Sequence, residues 1–419
     1  ITSQNFVDFF PLHNYRTGFR DSNYLGSALT LIETPSKTPL WLNLHAKGPK
    51  DNPSAGHTTM IGGNGSGKTV AMCFLDAQLN RYGGSSFFFD RNRGAEIYIR
   101  ACGGYYTVLS PDYACDIRFN PLQLNDSPIN RKFCKEWLVQ LVKKEDEVEV
   151  DEVVVDQLNQ CVDYAYDQLL PEHRNLTNVT KMLPVTFERR IRLRRWLRGE
   201  GSQPDGEYAY LFDHDTDALD MQTKMGFDMT HFLDNEPPTV LAAVTMYLFH
   251  RLELSLTEGG QLVSVFLDEA WQYLDNGYWK AKLKKWLPTL RKLNCHLVFA
   301  TQSPKSVASS SISHTILDNC ATNIYFANPQ GKSEHYIEGF NLTEAEFSCI
   351  RENEPQSRLF LYKQGNDSAL GKLNLGHLKD LLKIMSGTQD TVNLLTSLRK
   401  QVGDNPKIWL PLFLTRSAK

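Results

Sequence analysis

The chain has 419 residues, more than one simple hydrophobic core accommodates, so we expect either one large domain with an insertion or two domains. Its composition, 41% hydrophobic and 22% charged, is that of a soluble globular protein, and no apolar run approaches the roughly 20 residues of a membrane helix. The formal charge of −3 gives no global attraction for nucleic acid, which leaves only local patches as sites for it.

Eight cysteines are scattered without a C-x-x-C pair or a His/Cys spacing typical of zinc ligands. We therefore expect neither a zinc site nor a disulfide framework, and reduced thiols as in a cytosolic protein. The chain begins at Ile1 without a recognisable leader or targeting tail, and we expect it to be a fragment of a longer protein.

The first predicted elements are a hairpin within residues 25–48, a buried strand ending at Ile61, and an apolar-periodic helix over residues 70–79. Between strand and helix, the segment GHTTMIGGNGSGKTV fits G-x-x-x-x-G-K-[ST] without a mismatch. Its glycines, which lack a β-carbon, let backbone N–H groups approach phosphate oxygens at the positive end of the helix. This context favours a phosphate-binding loop over an ordinary glycine-rich turn.

The loop predicts specific roles around a nucleotide. Lys68 is expected to reach the β- and γ-phosphates and to take part in catalysis, and Thr69 is expected to coordinate Mg²⁺. The predicted nucleotide-binding residues are Gly62, Gly63, Asn64, Gly65, Ser66, Gly67, Lys68, Thr69 and Val70.

Two further strands are predicted at the aromatic run ending in Asp90 and at residues 105–110. Asp90 has two equally weighted interpretations, since it either reaches toward the phosphates and their water or caps the following turn.

Residues 126–239 show long stretches of helical hydrophobic periodicity with blocks of like charge. This pattern predicts an inserted helical subdomain. An acidic block starts the amphipathic segment 143–170, and segment 188–201 contains six arginines. We favour a solvated or mutually paired surface for these arginines over a protein-binding patch, and over nucleic-acid binding.

From residue 240 the alternation of an α/β core resumes. The strand VSVFL ends in Asp268 and Glu269, the pattern of a second nucleotide motif. Asp268 is expected to hold Mg²⁺ through its water shell and Glu269 to orient and polarise an attacking water, whereas two solvated acids at a strand end are the alternative.

The next strand, HLVFA, is followed by Thr301 and Gln302, and Gln302 is the candidate sensor of the γ-phosphate or the water. An arginine from a neighbouring subunit commonly stabilises the γ-phosphoryl charge. Arg291 is the candidate, with Arg351 and Arg358 as alternatives; a helix-capping role for Arg291 remains open. On the helix before Arg291, five apolar residues form a stripe that predicts packing against the sheet, namely Trp279, Leu283, Trp286, Leu287 and Leu290.

Together the motifs indicate an α/β fold, a RecA-like P-loop NTPase core of the additional-strand, catalytic-glutamate class with an inserted all-α subdomain. No N/T-K-x-D base-reading motif is present, so ATP is favoured over GTP. The predicted division is 1–125 (first half of the core), 126–239 (helical subdomain) and 240–419 (second half of the core and a helical tail).

Several of these segments, in their order and approximate spacing, resemble the C-terminal motor domain of the CagE/TrbE/VirB family of type IV secretion and conjugation ATPases. The matching segments are FFPLHNYRTG, GHTTMIGGNGSGKT, FFFDRNRG, GGYYTVLSP, FNPLQL, FLDEAWQYL, LPTLRKLNCHLVFATQSP and NEPQSRLFLYKQG. The resemblance covers most of the chain, whereas segment 145–225 carries few matching motifs.

The resemblance implies a HerA/FtsK-like core and a hexameric working form at the cytoplasmic face of the bacterial inner membrane. It implies ATP and Mg²⁺ as cofactors, and proteins of the secretion channel and pilus as partners. It assigns Lys68 and Thr69 to the phosphate loop, Asp268 and Glu269 to the second motif, Gln302 to the sensor and Arg291 to the "LRK" position. We also expect the family's N-terminal domain, which contacts the membrane complex, to be missing from this chain.

Two other classes of function remain as alternatives. A DNA translocase of the HerA/FtsK or conjugative coupling-protein type would bind nucleic acid with a steep salt dependence. A degenerate scaffold that does not hydrolyse ATP is disfavoured because both nucleotide motifs are complete.

Overall fold

A computed structural model describes residues 16–21, 23–48, 56–145, 147–257, 260–270, 272, 277–310 and 313–417. The chain divides into two compact units. The first contains Ile1–Gly84, Ser264–Leu267 and Leu287–Met385, and the second contains Ser85–Val263, Asp268–Trp286 and Ser386–Lys419. Most of the predicted lead-in FFPLHNYRTG and part of FLDEAWQYL lie outside the described residues.

The strands and helices of the described residues are numbered in chain order. The strands are β1 (Thr30–Glu33), β2 (Pro39–Leu42), β3 (His57–Ile61), β4 (Ser85–Asp90), β5 (Tyr105–Val108), β6 (Lys224–Asp228), β7 (Val263–Leu267), β8 (Cys295–Thr301), β9 (Cys320–Phe326), β10 (Leu359–Gln364) and β11 (Asp367–Lys372). The α-helices are α1 (Lys68–Leu79), α2 (Glu96–Ala101), α3 (Pro128–Val142), α4 (Glu152–Gln168), α5 (Leu176–Thr180), α6 (Arg190–Arg194), α7 (Ala209–Phe212), α8 (Thr230–Asn235), α9 (Pro238–Thr257), α10 (Gly277–Lys292), α11 (Pro304–Ser309), α12 (Ser313–Asn319), α13 (Glu344–Arg351), α14 (Lys379–Met385), α15 (Gln389–Val402) and α16 (Pro406–Arg416).

In the first unit the strands lie in the order β2-β1-β11-β10-β9-β3-β8-β7. Strand β3 is parallel to both β8 and β9, so that Ile61 is level with Thr301 on one side and with Tyr325 on the other. Every residue of β3 and β8 is buried, as expected of parallel strands covered on both faces. The parallel centre of this sheet therefore brings the ends of β3 and β8 to one edge.

Antiparallel pairing joins the outer strands of the first unit, from β9 to β2. The predicted hairpin within residues 25–48 is confirmed, because β1 pairs with β2 from Thr30–Leu42 to Glu33–Pro39. Strands β9, β10 and β11 form a meander whose pairing continues to β1.

In the second unit, β4 and β5 both pair in parallel with β6. The core beside them is aromatic: Phe89 stacks on Phe249 of α9 with ring centroids 4.5 Å apart, and Phe249 in turn contacts Trp279 and Trp286 of α10. All five residues of the stripe on α10 are buried, which confirms a packing role, and the partner that its aromatic contacts show is helix α9.

Between residues 126 and 239 the structure is helical from α3 to α7 and then differs from the expectation, because β6 lies in this range. The strand KMGFD is short and contains a glycine, so it carries almost no β-propensity signal. The packing explains Gly226, since a β-carbon there would lie 2.4 Å from the Tyr106 ring of β5. The predicted domain boundaries stay predictions.

Candidate functional site

The glycine-rich loop connects β3 to α1 in the first unit, as predicted. The backbone N–H of Gly62 donates to the carbonyl oxygen of Thr301 at 3.1 Å. Gly65 and Gly67 have φ values of +72° and +99°, in the left-handed region that favours glycine. The left-handed backbone at Gly65 and Gly67 thus explains why the sequence has glycines at these positions of the loop.

The interior of the loop is tightly filled at Gly62. A β-carbon there would lie 2.6 Å from Cβ of Phe326 and 2.7 Å from the Ser66 hydroxyl oxygen. Ser66 is 3% exposed, and its hydroxyl has no hydrogen-bond partner among the described residues. A buried polar atom without a partner is uncommon in folded proteins, and one in this loop is consistent with a polar ligand.

The Lys68 ammonium folds back onto the loop. It donates to the carbonyl oxygens of Gly62 at 2.7 Å and of Gly63 at 3.3 Å, and the residue is buried. Burial of a charged amine is tolerated here because loop carbonyls surround it. The structure therefore places the predicted phosphate-binding lysine inside the loop.

The start of α1 suits an anion. Its N-cap residue, Gly67, makes no side-chain capping hydrogen bond, and the first turn contains no acidic residue. The first N–H groups of a helix have no intrahelical partner and carry the positive end of its dipole. Thr69 lies half-buried in this first turn. The residues present thus fit a phosphate group, and the Thr69 hydroxyl fits an Mg²⁺ bound to it.

Gln302 follows β8 directly. Because Thr301 is paired with Ile61, Gln302 lies at the same sheet edge as the beginning of the loop. The residue is half-buried. Its position suits the predicted sensor, whose role stays a prediction.

Arg358 contacts the loop within the same chain. Its Nη1 donates to the carbonyl oxygen of Gly65 at 3.1 Å and lies 3.7 Å from the ideal β-carbon position of Gly67. The sequence motifs present Arg358 only as an alternative arginine acting from a neighbouring subunit. No pattern along the chain predicts the contact, which spans 293 residues.

The acidic pair after β7 belongs to the second unit. Asp268 and Glu269 are 9% and 7% exposed, and the Asp268 N–H donates to the carbonyl oxygen of Phe89 at 2.9 Å. Glu269 has a φ of +51°, which is uncommon for a residue with a side chain. Its Oε1 has no hydrogen-bond partner among the described residues. The pair is therefore not a pair of solvated acids at a strand end.

Asp90 caps the turn that follows β4, which is one of its two predicted roles. Its Oδ2 accepts hydrogen bonds from the Ala95 N–H at 2.8 Å and the Tyr106 hydroxyl at 2.6 Å. Burial, and then repulsion from Asp268, raises the pKa of Asp90 well above its usual value. Its partner in the strand register, Asp228, has a pKa raised mainly by burial.

The remaining candidate arginines lie at helix ends in the first unit. Arg291 is exposed in the last turn of α10, and Arg351 ends α13 with its guanidinium 5.4 Å from the Phe347 ring. The roles of both across an interface between subunits stay predictions.

All six arginines of segment 188–201 have partners in the second unit, which supports the favoured interpretation of a paired surface. Three form ion pairs: Arg189 with Glu147, Arg195 with Glu207 and Arg198 with Asp215. Three donate to carbonyl oxygens, namely Arg190, Arg192 and Arg194. Among the described residues of the acidic block, only Glu147 forms such an ion pair.

Metal-binding clusters and membrane-spanning helices are absent from the described residues. No group of three or more His, Cys, Asp or Glu side chains there is arranged to hold a metal ion. No helix in those ranges is long and apolar enough to cross a membrane. The cysteines whose side chains are described are free thiols.

Comparison with known proteins identifies close relatives along nearly the whole chain. The type IV secretion system protein VirB4 of Bartonella henselae is 36% identical over 424 residues, and that of Brucella abortus is 35% identical over 435 residues. The type IV secretion system protein PtlC of Bordetella pertussis is 32% identical over 428 residues. Each match covers 99% of this chain and 51% of the relative, so the chain spans about half the length of these curated relatives. A scan against models of protein families finds no match.

Solved structures establish the fold. VirB4 of Thermoanaerobacter pseudethanolicus superimposes with a TM-score of 0.66 at 17% identity, covering 85% of this chain and 98% of that chain. The plasmid coupling protein TrwB bound to the ATP analogue ADPNP has a TM-score of 0.53 at 14% identity and covers 78% and 87% of the two chains. TrwB with ADP and Mg²⁺ has a TM-score of 0.53 at 12% identity, covering 89% and 92%. The predicted P-loop NTPase fold is confirmed.

Proposed function

We propose that the chain belongs to the VirB4 family of type IV secretion proteins, whose members it matches along about half of their length, and that it is the ATP-hydrolysing motor unit of such a system. Hydrolysis would energise pilus assembly and substrate transfer. One observation carries this proposal: the loop from Gly62 to Thr69 combines a buried lysine, two left-handed glycines and an uncapped helix start in one phosphate-sized turn. Few ligands other than a polyphosphate use all three features.

The loop residues bind and orient the triphosphate. In this proposal Lys68 exchanges its contacts with the loop carbonyls for the β- and γ-phosphates, which gives it a charge partner in a buried place. Thr69 and Asp268 would hold Mg²⁺, Asp268 through water, as Mg²⁺ usually retains several waters in proteins. When bound, Mg²⁺ neutralises negative charge that develops on the phosphate oxygens.

Glu269 acts as the base in the proposed reaction. Its Oε1 is buried and accepts no hydrogen bond from the described residues, so a water can donate to it. Its left-handed backbone conformation is a local strain of the kind that persists at functional positions. The proposed step is the orientation and polarisation of the water that attacks the γ-phosphorus.

Two further residues complete the proposed site. Gln302 is proposed to respond to the γ-phosphate or the attacking water from the end of β8. Arg291 is proposed to stabilise the phosphoryl charge of a neighbouring subunit, which requires a ring, a hexamer in the proposed working state. The exposure of Arg291 in the last turn of α10 is compatible with that role.

The setting of the motor is also proposed. Its partners would be channel and pilus proteins, and its location the cytoplasmic face of the bacterial inner membrane. The names of the relatives, all type IV secretion system proteins, support this setting. The predicted divisions at residues 125 and 239 belong to the same proposal.

A DNA translocase of the coupling-protein type is the second candidate, favoured by the shared fold of TrwB. The charge distribution disfavours DNA binding, because the six arginines of segment 188–201 already form ion pairs or hydrogen bonds within the chain. Filter binding over a salt series distinguishes the two: tight, salt-steep DNA binding with DNA-stimulated hydrolysis would favour the translocase.

The proposed function is tested by ATP turnover and nucleotide binding. Lys68→Ala should abolish turnover, whereas Glu269→Gln should still bind a triphosphate analogue but hydrolyse ATP at least about a hundredfold more slowly. Circular dichroism controls for folding of both variants. Turnover at the parental rate in Glu269→Gln would refute its assignment as the base, and a wild-type chain that binds no nucleotide would refute the proposed function.

A further inference from the structure

The contact between Arg358 and the phosphate loop lies within one unit of one chain. Arg358 Nη1 donates to the carbonyl oxygen of Gly65 at 3.1 Å, and this is the single side-chain hydrogen bond of Arg358 within the described ranges. The loop segment 56–70 contains no acidic residue. Arg358 and Lys68 therefore both bring positive charge to loop carbonyls.

The backbone holds Arg358 in place on both sides. A 3-10 turn, Pro355–Ser357, precedes it, and Arg358 N–H donates to the carbonyl oxygen of Pro355 at 3.3 Å. The Arg358 carbonyl accepts from the Leu373 N–H at 3.1 Å. With φ at +59° and ψ at +21°, the residue is in the left-handed region, where a side chain carries an energetic cost. This geometry places a long cationic side chain at the start of β10, next to the loop.

Ordering the glycine-rich loop costs conformational entropy, which a hydrogen bond from Arg358 helps to offset. Gly65 and Gly67 adopt left-handed φ values, and glycine loses more backbone freedom on ordering than any other residue. The carbonyl of Gly65 shares a rigid peptide plane with the N–H of Ser66, so a bond to the carbonyl also orients that N–H. A charge-assisted bond is stronger than a neutral one.

We propose that Arg358 is a positioning residue of the nucleotide site and acts in cis, by holding the Gly65 carbonyl and so keeping the loop in its phosphate-binding shape. This role rests on the proposed function, in that the ligand is a nucleoside triphosphate. It removes Arg358 from the arginines expected to act on the site of a neighbouring subunit.

The cis role is tested by binding of ADPNP with Mg²⁺ to dilute protein, at a concentration where a mass measurement finds single chains. Arg358→Ala should weaken binding about tenfold, since it removes one hydrogen bond from a charged group. Arg358→Lys, which keeps a cationic donor, should bind within about threefold of wild type. The kcat at saturating ATP should change less than the KM, and the melting temperature of the protein without nucleotide should stay within about 2 °C, since Arg358 is exposed.

Arg16→Ala is the matched control, because Arg16 is an exposed arginine of the same unit that pairs with Asp367 on the surface. It should bind ADPNP like wild type. Wild-type affinity in Arg358→Ala would overturn the cis role while leaving the proposed function standing. Recovery of the wild-type KM for ATP on mixing Arg358→Ala with Lys68→Ala chains would overturn it as well, because a cis residue cannot serve a partner's loop. Absence of ADPNP binding by the wild-type chain would instead remove the proposed function, and this role with it.

Discussion

The Gly62 N–H donates to the Thr301 carbonyl across 3.1 Å, which joins the first glycine of the phosphate loop to the residue before Gln302. Two motifs about 240 positions apart in the chain thereby share one sheet edge. A substitution that displaces the backbone at Gly62 is therefore expected to displace it at Thr301 as well, and the reverse.

Gly62→Ala should damage the loop, whereas Gly63→Ala should be tolerated. A β-carbon at position 62 would lie 2.6 Å from Cβ of Phe326, while at position 63 it would meet nothing within 4 Å. Overpacking of this kind typically costs about 1–3 kcal/mol. We expect denaturant unfolding to show a loss of that size only for Gly62→Ala, together with weaker nucleotide binding. Equal stability of the two variants would contradict the packing at Gly62.

Gln302→Ala should lower kcat by about tenfold or more and leave the KM for ATP within about twofold. A group that acts only on the γ-phosphate or the attacking water contributes to the transition state rather than to ground-state binding. Steady-state kinetics measures both constants, with the exposed Lys305→Ala on the neighbouring α11 as the control. A large rise in KM at unchanged kcat would argue for a binding role instead.

Arg291→Ala and Lys68→Ala chains should each be inactive alone and regain part of the activity when mixed. In a mixed ring some interfaces combine an intact Lys68 with an intact Arg291, as a trans-acting arginine requires. ATP turnover is measured after cross-linking has verified hetero-oligomers. No recovery in verified hetero-oligomers would remove the trans role of Arg291.

Acid should destabilise the protein through a buried histidine cluster in the first unit. The rings of His45 and His296 lie 5.1 Å apart, and burial lowers the pKa of His45 to about 3 and that of His57 to about 4. Burial lowers the pKa of His296 as well. In the unfolded chain these histidines become protonated near pH 6.5. Their contribution to the free energy of unfolding is therefore fully present above that pH and is lost as the pH falls toward about 4. The loss is at most about 1.4 kcal/mol per pH unit for each histidine.

Urea unfolding between pH 7.5 and 5 measures this slope. His45→Phe should give a shallower loss than wild type, because one titrating site is removed. Replacing the exposed His173 by Ala should leave the slope unchanged. Identical slopes in His45→Phe and wild type would show that the cluster does not titrate as described.

Local patterns predicted much of the fold. The buried runs at β3, β4, β7 and β8 and the periodic helices α1 and α10 all occur where the sequence places them. Strands β9, β10 and β11 are not anticipated, and β6 is hidden in a segment that reads as helical. Strands in these positions are specified by pairing with distant neighbours rather than by their own residues.

What the chain determines locally is the chemistry of the loop: residues 62–69 require glycine backbones, a lysine and a helix start within one short stretch, so their pattern is visible in sequence. Tertiary structure alone decides which residues, distant in sequence, contact the loop, and which contact one another elsewhere in the protein. It brings Arg358 to Gly65, uses Asp90 to cap a turn, and pairs the six arginines within the second unit. Such contacts depend on how strands are ordered in a sheet and on which charges burial forces together, and neither is encoded in the spacing of residues along the chain.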